Sequence, residues 1–369
     1  MIKILFFIDT TLASGGAEKV LRELVNNMDQ SKFEITVHTL WKEDAEQYLV
    51  PGIRYLYLFE KKNPVNRYLF RLESGLGLTY RLHMHDDYDI EVAYLECGPT
   101  KILAKSHNNK AKKVAWIHCD LEKMTSDAEA FIRKAKKWYA CFDHVACVSR
   151  HTMQRYREMF PNNTKSSVIY NTVDDVQIRS RAAELLATEK QPRKTTFATV
   201  GRMYHQKGYD RLLEAHRRLI SEGYDYDLWI LGEGPDRPVH EAFIADNNLE
   251  GSVQLLGFQK NPYPFIRAAD CIVCSSYYEG FSTVVTEALI LGKPVVTTPC
   301  SGMDELLGDS EFGLITEDSV EGIYQGMKRM LEDAELREHY ARKAAIRGKD
   351  FSKEKLVKQT EQFFEELLK

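Results

Sequence analysis

Glu279 and Glu287 bracket the stretch of this chain richest in potential chemistry, Tyr278-Glu279-Gly280-Phe281-Ser282-Thr283-Val284-Val285-Thr286-Glu287. The apolar run Cys271-Ile272-Val273-Cys274 before it reads as a buried strand. The residues after it read as a helix running towards Leu291, with Ser282 or Thr283 as N-cap. Glu279 then falls in the turn beyond the carboxyl end of a strand, where open α/β sheets bind ligands. Glu287 lies a turn or more inside the helix and reaches back to the same crevice. Gly280 permits close backbone approach, and the free amides around Phe281, Ser282 and Thr283 make an anion seat. A carboxylate on each side of such a seat suits a diphosphate with sugar hydroxyls at both ends. That is the description of a nucleotide sugar.

Other candidates also fall at strand ends. Arg202 and Lys207 flank the turn after the strand Thr196–Val200, where two cations neutralise a leaving diphosphate as the sugar–phosphate bond breaks. Gly15 and Gly16 sit between the first strand and first helix, where backbone amides approach a phosphate or an acceptor. They are not a dinucleotide fingerprint, because the third glycine is missing and Glu18 follows directly. His118 ends the apolar run Val114–Ile117, and Asp120 follows two residues on, placed to orient it or to face the acceptor. Phe258 and Gln259 follow the strand Val253–Leu256.

These motifs, taken in order, resemble the retaining glycosyltransferases of family 4, also described as glycosyl transferases group 1. The resemblance is carried by Gly15-Gly16-Ala17-Glu18, Trp116-Ile117-His118, Val200-Gly201-Arg202 with Lys207-Gly208, Leu231-Gly232-Glu233-Gly234-Pro235, Glu-x7-Glu from Glu279 to Glu287, and Gly292-Lys293-Pro294-Val295-Val296. It spans nearly the whole chain and is densest from Phe197 to Gly313. It implies the GT-B fold, in which two Rossmann-like, doubly wound α/β domains face an interdomain cleft. By the same resemblance Glu287 binds the ribose hydroxyls, Glu279 contacts the donor sugar, and His118 stands against the donor sugar or the acceptor. Phe258 and Gln259 hold the nucleobase, Gly16 meets the donor and Gly15 the acceptor. The implied chemistry is a front-face transfer in which the leaving phosphate helps to deprotonate the incoming hydroxyl, with no metal and no further cofactor.

The chain has 369 residues, 44% hydrophobic and 28% charged, with a net charge of −4. That is an ordinary composition for a globular enzyme, and the charge argues against nucleic acid as a partner. Seven cysteines without framework spacing fit a reducing compartment. Cys271 and Cys274 form a Cys-x-x-Cys within a strand, which favours core packing over metal. The first apolar run stops at Asp9, too soon for a secretion signal, and no run approaches the roughly 18 apolar residues of a membrane span. A cytoplasmic protein is expected. Alternating strand and helix patterns argue for doubly wound parallel sheets. The expected domains are 1–175 for the acceptor and 176–350 for the donor, with 351–369 as a helix returning to the first domain. The polar stretch Arg179–Lys194 reads as the linker. Between Lys101 and Lys137 a run of lysines with Phe131, Ile132, Trp138 and Tyr139 suggests peripheral contact with an anionic membrane.

The resulting expectation is an enzyme moving a hexose or N-acetylhexosamine from a UDP-sugar, with GDP the second choice, to a glycan or lipid-linked acceptor in bacterial surface polysaccharide synthesis. Two alternatives stand beside it, a GT-B sugar-nucleotide epimerase and a non-catalytic nucleotide-sugar-binding protein. The epimerase needs an acidic base in the first domain. The binding protein would be favoured by loss of Glu279, Arg202 or Lys207, all of which are present.

Overall fold

The computed structural model describes all residues except 14, 124–126, 162–164, 187–191 and 193. The described residues form two compact units, Met1–Val173 with Glu354–Lys369, and Asp174–Lys353. Each is built on one parallel sheet.

The first sheet holds seven strands: β1 (Ile2–Phe7), β2 (Phe33–Trp41), β3 (Arg54–Phe59), β4 (Ile90–Ala93), β5 (Lys112–Ile117), β6 (His144–Cys147) and β7 (Lys165–Val168), in the order β3-β2-β1-β4-β5-β6-β7. The central strands β1, β4 and β5 are mostly apolar and buried because helices cover both faces, whereas the edge strand β7 is Lys-Ser-Ser-Val and has no fully buried residue. In β1, Ile4, Leu5, Phe6 and Phe7 are all fully buried. Leu5 and Phe7 join one core cluster. Phe6 faces the opposite way, against Tyr94 at 6.0 Å and Phe364 at 5.8 Å between ring centroids. Phe364 belongs to the closing helix Lys353–Leu367, which also sets Phe363 against His144 and ties Glu365 to Lys32.

The second sheet holds β8 (Thr196–Val200), β9 (Asp227–Leu231), β10 (Val253–Gly257), β11 (Cys271–Cys274), β12 (Val295–Thr297) and β13 (Leu314–Ile315), in the order β10-β9-β8-β11-β12-β13. Both sheets therefore reverse direction once, between β1 and β4 and between β8 and β11. Those are the points where the crossovers part to opposite faces and leave a crevice. Cys271 and Cys274 are both buried within β11.

Two expectations need correction. The stretch read as a linker begins inside a helix, Asp175–Ala182, which Asp174 caps by accepting from the Gln177 amide. That helix belongs to the second unit, where Arg181 donates to the Lys260 carbonyl and lies over the Tyr263 ring. Its short apolar side, Ile178 and Ala182, was too sparse to register among so many charges. Residues 187–191 and 193 of that stretch lie outside the described residues. The apolar residues in and just after the segment Lys101–Lys137 are less exposed than expected, Phe131, Ile132 and Trp138 being half-buried. Phe131, Ile132 and Trp138 pack against the first core and Tyr139 is buried, because helical spacing in Ala128–Tyr139 turns them inward. Residues 124–126 of that segment also lie outside the described residues.

Candidate functional site

In the second unit the turns leaving β8 and β11 are stitched together. The Tyr277 amide donates to the Gln206 carbonyl at 2.8 Å, Gln206 Nε2 to the Tyr278 carbonyl at 3.0 Å, and Ser275 Oγ to the Lys207 carbonyl at 2.9 Å. Gly208 makes this possible: its φ is +61°, and a Cβ there would stand 2.2 Å from the Ser275 carbonyl oxygen. Gly232, at φ +141°, likewise lets the turn after β9 lie against the Gly201 backbone, where a Cβ would overlap the carbonyl. Glycines in these motifs thus shape the crevice wall.

The charged centre of the crevice is an ion pair. Lys207 Nζ is 2.6 Å from Glu279 Oε1, and Ser276 Oγ donates to the same oxygen at 2.6 Å. Glu279 is 8% exposed, so the pair is shielded from solvent screening. Burial works against the Lys207 charge, but Glu279 outweighs it and holds the ammonium protonated above its ordinary range. An ammonium has three N–H donors, so pairing with one carboxylate oxygen leaves it capacity for a phosphate. Arg202, earlier in the same turn after β8, is exposed, its guanidinium 5.2 Å from the centroid of the Tyr204 ring.

Beyond Glu279 the helix Thr283–Ile290 begins at Ser282, whose hydroxyl accepts from the Val285 amide at 3.4 Å. Of the two expected caps, Ser282 fills the position. Gly280, Phe281 and Ser282 are buried, and Thr283 is partly so. Glu287 is on the second turn of the helix and 5% exposed. Phe258 and Gln259 follow β10, two strands away from β8, with Phe258 75% exposed. All strands of the sheet run parallel, so these residues lie along its carboxyl edge.

Arg211 and Ser276 escaped the sequence reading. Arg211 is 5% exposed and donates to the Ser275 and Ser276 carbonyls, to Thr298 Oγ1 and to Asp318, with its guanidinium 4.0 Å from the centroid of the Tyr277 ring. It fixes the backbone that carries Ser276 and Glu279. Its signal was the spacing Lys207-x3-Arg211, which places both cations on one side of the helix start.

The first unit gathers a different set at its own reversal point. Asp9 follows β1, and Glu96 follows β4 just before Cys97, whose φ of +60° is unusual for a side chain other than glycine. Burial, followed by the charges of Glu96 and Glu18, raises Asp9 to about 6, against the opposing hydrogen bond of its own backbone. Burial also raises Glu96, although the His118 amide and the Cys119 thiol both donate to it. His118 packs its ring 4.6 Å from Tyr94 and stacks on Trp116. Burial drives its imidazole down to about 3, offset only in part by the Tyr94 backbone. His118 is therefore neutral at ordinary pH and can give or take a hydrogen bond without carrying charge. Asp120 is buried and accepts from the Glu122 amide. Gly15, at φ +112°, and Gly16 open the helix Gly16–Val25 and are exposed. Asp9 and Glu96 were missed because each reads merely as the polar end of an apolar run.

Two parallel, doubly wound sheets with charge gathered at their reversal points are the architecture of GT-B transferases. Residues 14–177 match the family described as Glycosyltransferase Family 4, and residues 181–347 match Glycosyl transferases group 1. An N-acetylgalactosamine-N,N'-diacetylbacillosaminyl-diphospho-undecaprenol 4-alpha-N-acetylgalactosaminyltransferase of Campylobacter jejuni is 33% identical, covering 94% of this chain and 95% of that protein. The amylovoran biosynthesis glycosyltransferase AmsD of Erwinia amylovora is 22% identical over 97% of this chain and 98% of its own. Among solved structures, Anabaena HepE in complex with UDP and glucose superposes with a TM-score of 0.79 at 19% identity, covering 99% of this chain and 100% of that one. Sucrose-phosphate synthase from Thermosynechococcus elongatus gives 0.82 at 17% identity, covering 100% and 99%. The chain belongs to the family 4 glycosyltransferases.

Proposed function

We propose that this protein transfers a hexose or N-acetylhexosamine, with retention of anomeric configuration, from a UDP-sugar to a lipid-linked saccharide in bacterial surface polysaccharide synthesis. The observation that carries this reading is the buried Lys207–Glu279 pair at the β8/β11 reversal point, beside the amides of a Ser282-capped helix. Lys207 and those amides meet the diphosphate, and exposed Arg202 adds a second cation as the leaving group gains charge. Glu287 takes the ribose hydroxyls, and Phe258 and Gln259 the base. Glu279, held by Lys207 and Ser276, contacts the donor sugar. Positive charge from these residues serves the leaving group, so the reaction proceeds without a metal. The 33% identical relative is named for a diphospho-undecaprenol acceptor, and HepE was crystallised with UDP and glucose. Those two facts support the lipid-linked acceptor and the UDP donor. Action on such an acceptor places the protein at the cytoplasmic face of a membrane, and no helix among the described residues is long and apolar enough to cross one.

The test is a direct assay. UDP-, GDP- and ADP-linked hexoses and N-acetylhexosamines are offered with polyprenyl-diphosphate-linked saccharides, and the product anomer is read by NMR. An α-linked product from a UDP-α-sugar is expected. A β-linked product would remove the retaining mechanism, and product from a GDP-sugar alone would remove the UDP assignment.

A further inference from the structure

Asp9 is a carboxylate without a counterpart. It follows β1 at the reversal point of the first sheet and is partly buried. Its only hydrogen-bond partner among the described residues is its own backbone amide, and the charges acting on it most are two more carboxylates, Glu96 and Glu18. Gly98 makes room for it, since a Cβ there would overlap the Asp9 carboxylate. A desolvated carboxylate with no donor from another residue costs stability, the mark of a group that a ligand satisfies.

The surroundings decide what that ligand is. Glu96 is buried and accepts from the His118 amide and the Cys119 thiol. The Tyr139 hydroxyl, 1% exposed, has no hydrogen-bond partner, and Glu96 is the charge acting on it most. Both ring nitrogens of His118 are likewise buried and unpartnered. The negative charge of Asp9, Glu96 and Glu18 turns away a phosphate. Among the described residues no three His, Cys, Asp or Glu side chains converge on a metal position. What suits such a site is a neutral ligand whose groups donate to carboxylates and accept from uncharged side chains, as sugar hydroxyls do. The donor sugar is bonded directly to its diphosphate, which these carboxylates repel. The terminal ring of an oligosaccharide acceptor is not.

We propose that Asp9 is an acceptor-binding residue: its carboxylate accepts a hydrogen bond from a hydroxyl of the acceptor's terminal sugar, in the space that Gly98 leaves open. Glu96 and Cys97, with its φ of +60°, shape the loop that brings Gly98 under the carboxylate. This deepens the proposed function and rests on it, because the hydroxyl belongs to a saccharide acceptor.

The experiment measures acceptor and donor KM at pH 7 for wild type, Asp9→Ala, Gly98→Ala and the double variant. The acceptor is a short-chain polyprenyl-diphosphate-linked disaccharide of N-acetylhexosamines, offered intact and as its monodeoxy analogues. Asp9→Ala is expected to raise the acceptor KM about tenfold or more and to leave the donor KM unchanged. Gly98→Ala keeps the carboxylate but displaces it, and Gly98 does not have a left-handed φ that alanine would resist. It should therefore raise the acceptor KM too, yet add nothing in the Asp9→Ala background, where the new methyl meets no carboxylate. One monodeoxy analogue should be poor with wild type and lose nothing further with Asp9→Ala. Melting temperature at pH 7 should not fall in Asp9→Ala, which removes an unpaired carboxylate. An acceptor KM unchanged in Asp9→Ala, or a donor KM that rises equally, would overturn this assignment and leave the proposed function standing. No transfer by wild type from any of the UDP-, GDP- or ADP-sugars would strike the proposed function, and this assignment with it.

Discussion

At Lys207 and Glu279, one buried contact bears on fold stability and on the proposed chemistry alike. Replacing Lys207 by Met leaves the Glu279 carboxylate buried and unpaired, which costs about 3 kcal/mol. The Lys207→Met/Glu279→Gln double variant should recover most of that stability in urea titration while remaining inactive. If the double variant is no more stable than the single one, the two residues do not act as a pair. Glu287→Ala should instead raise the donor KM with a smaller effect on kcat, the mark of lost ground-state binding. Arg211 positions the loop carrying Glu279, so Arg211→Lys should lower kcat/KM about tenfold or more, because Lys lacks the fork that spans two carbonyls. Unchanged turnover in Arg211→Lys would make the residue a purely structural tie. Asp9 carries a pH signature. Its raised pKa means the folded chain keeps a proton that the unfolded chain has already lost, so stability falls as pH climbs from about 4 to about 6. Asp9→Asn should therefore stabilise the protein above pH 6, by up to about 3 kcal/mol, and have little effect below pH 4. An equal melting shift at both pH values would contradict this. The two glutamates and the strand-end cations were legible because each follows an apolar run with glycines beside it. Arg211 and Asp9 were not, since partnership and burial are set by strands far away in sequence.

Among the elements, the strands read most clearly. Parallel strands covered on both faces are continuous apolar runs, and β1, β8 and β11 stand out against their polar turns. The helices split by how they are covered. Gly16–Val25 shows its buried stripe of Val20, Leu21, Leu24 and Val25 directly. Asp175–Ala182 shows almost none, because it buries only Ile178 and Ala182. Pro64–Leu76 carries a periodic stripe that points away from its own sheet, so no neighbouring strand pattern announces it. At the β11 crossover, Ser282→Ala removes an N-cap and should cost about 1 kcal/mol. In the proposed mode of donor binding the same helix start meets the diphosphate, so donor affinity should fall along with the melting temperature. A fall in stability with donor affinity unchanged would separate the cap from the anion seat.

For the molecule as a whole, the two units differ in how their sequence is assigned. The second is continuous from Asp174 to Lys353, whereas the first is made of two distant pieces. Phe364, wholly buried between Phe6 and Trp116, belongs to the later piece. During synthesis the first sheet therefore waits, with the patch around Phe6 and Trp116 uncovered, until residues beyond 353 leave the ribosome, although the unit made after it already has all its parts. A chain truncated after Ser352 should show a protease-resistant second unit and a labile first one. The order of translation and the order of completion are then opposite, and the interval between them is when this protein is most open to aggregation and to chaperones.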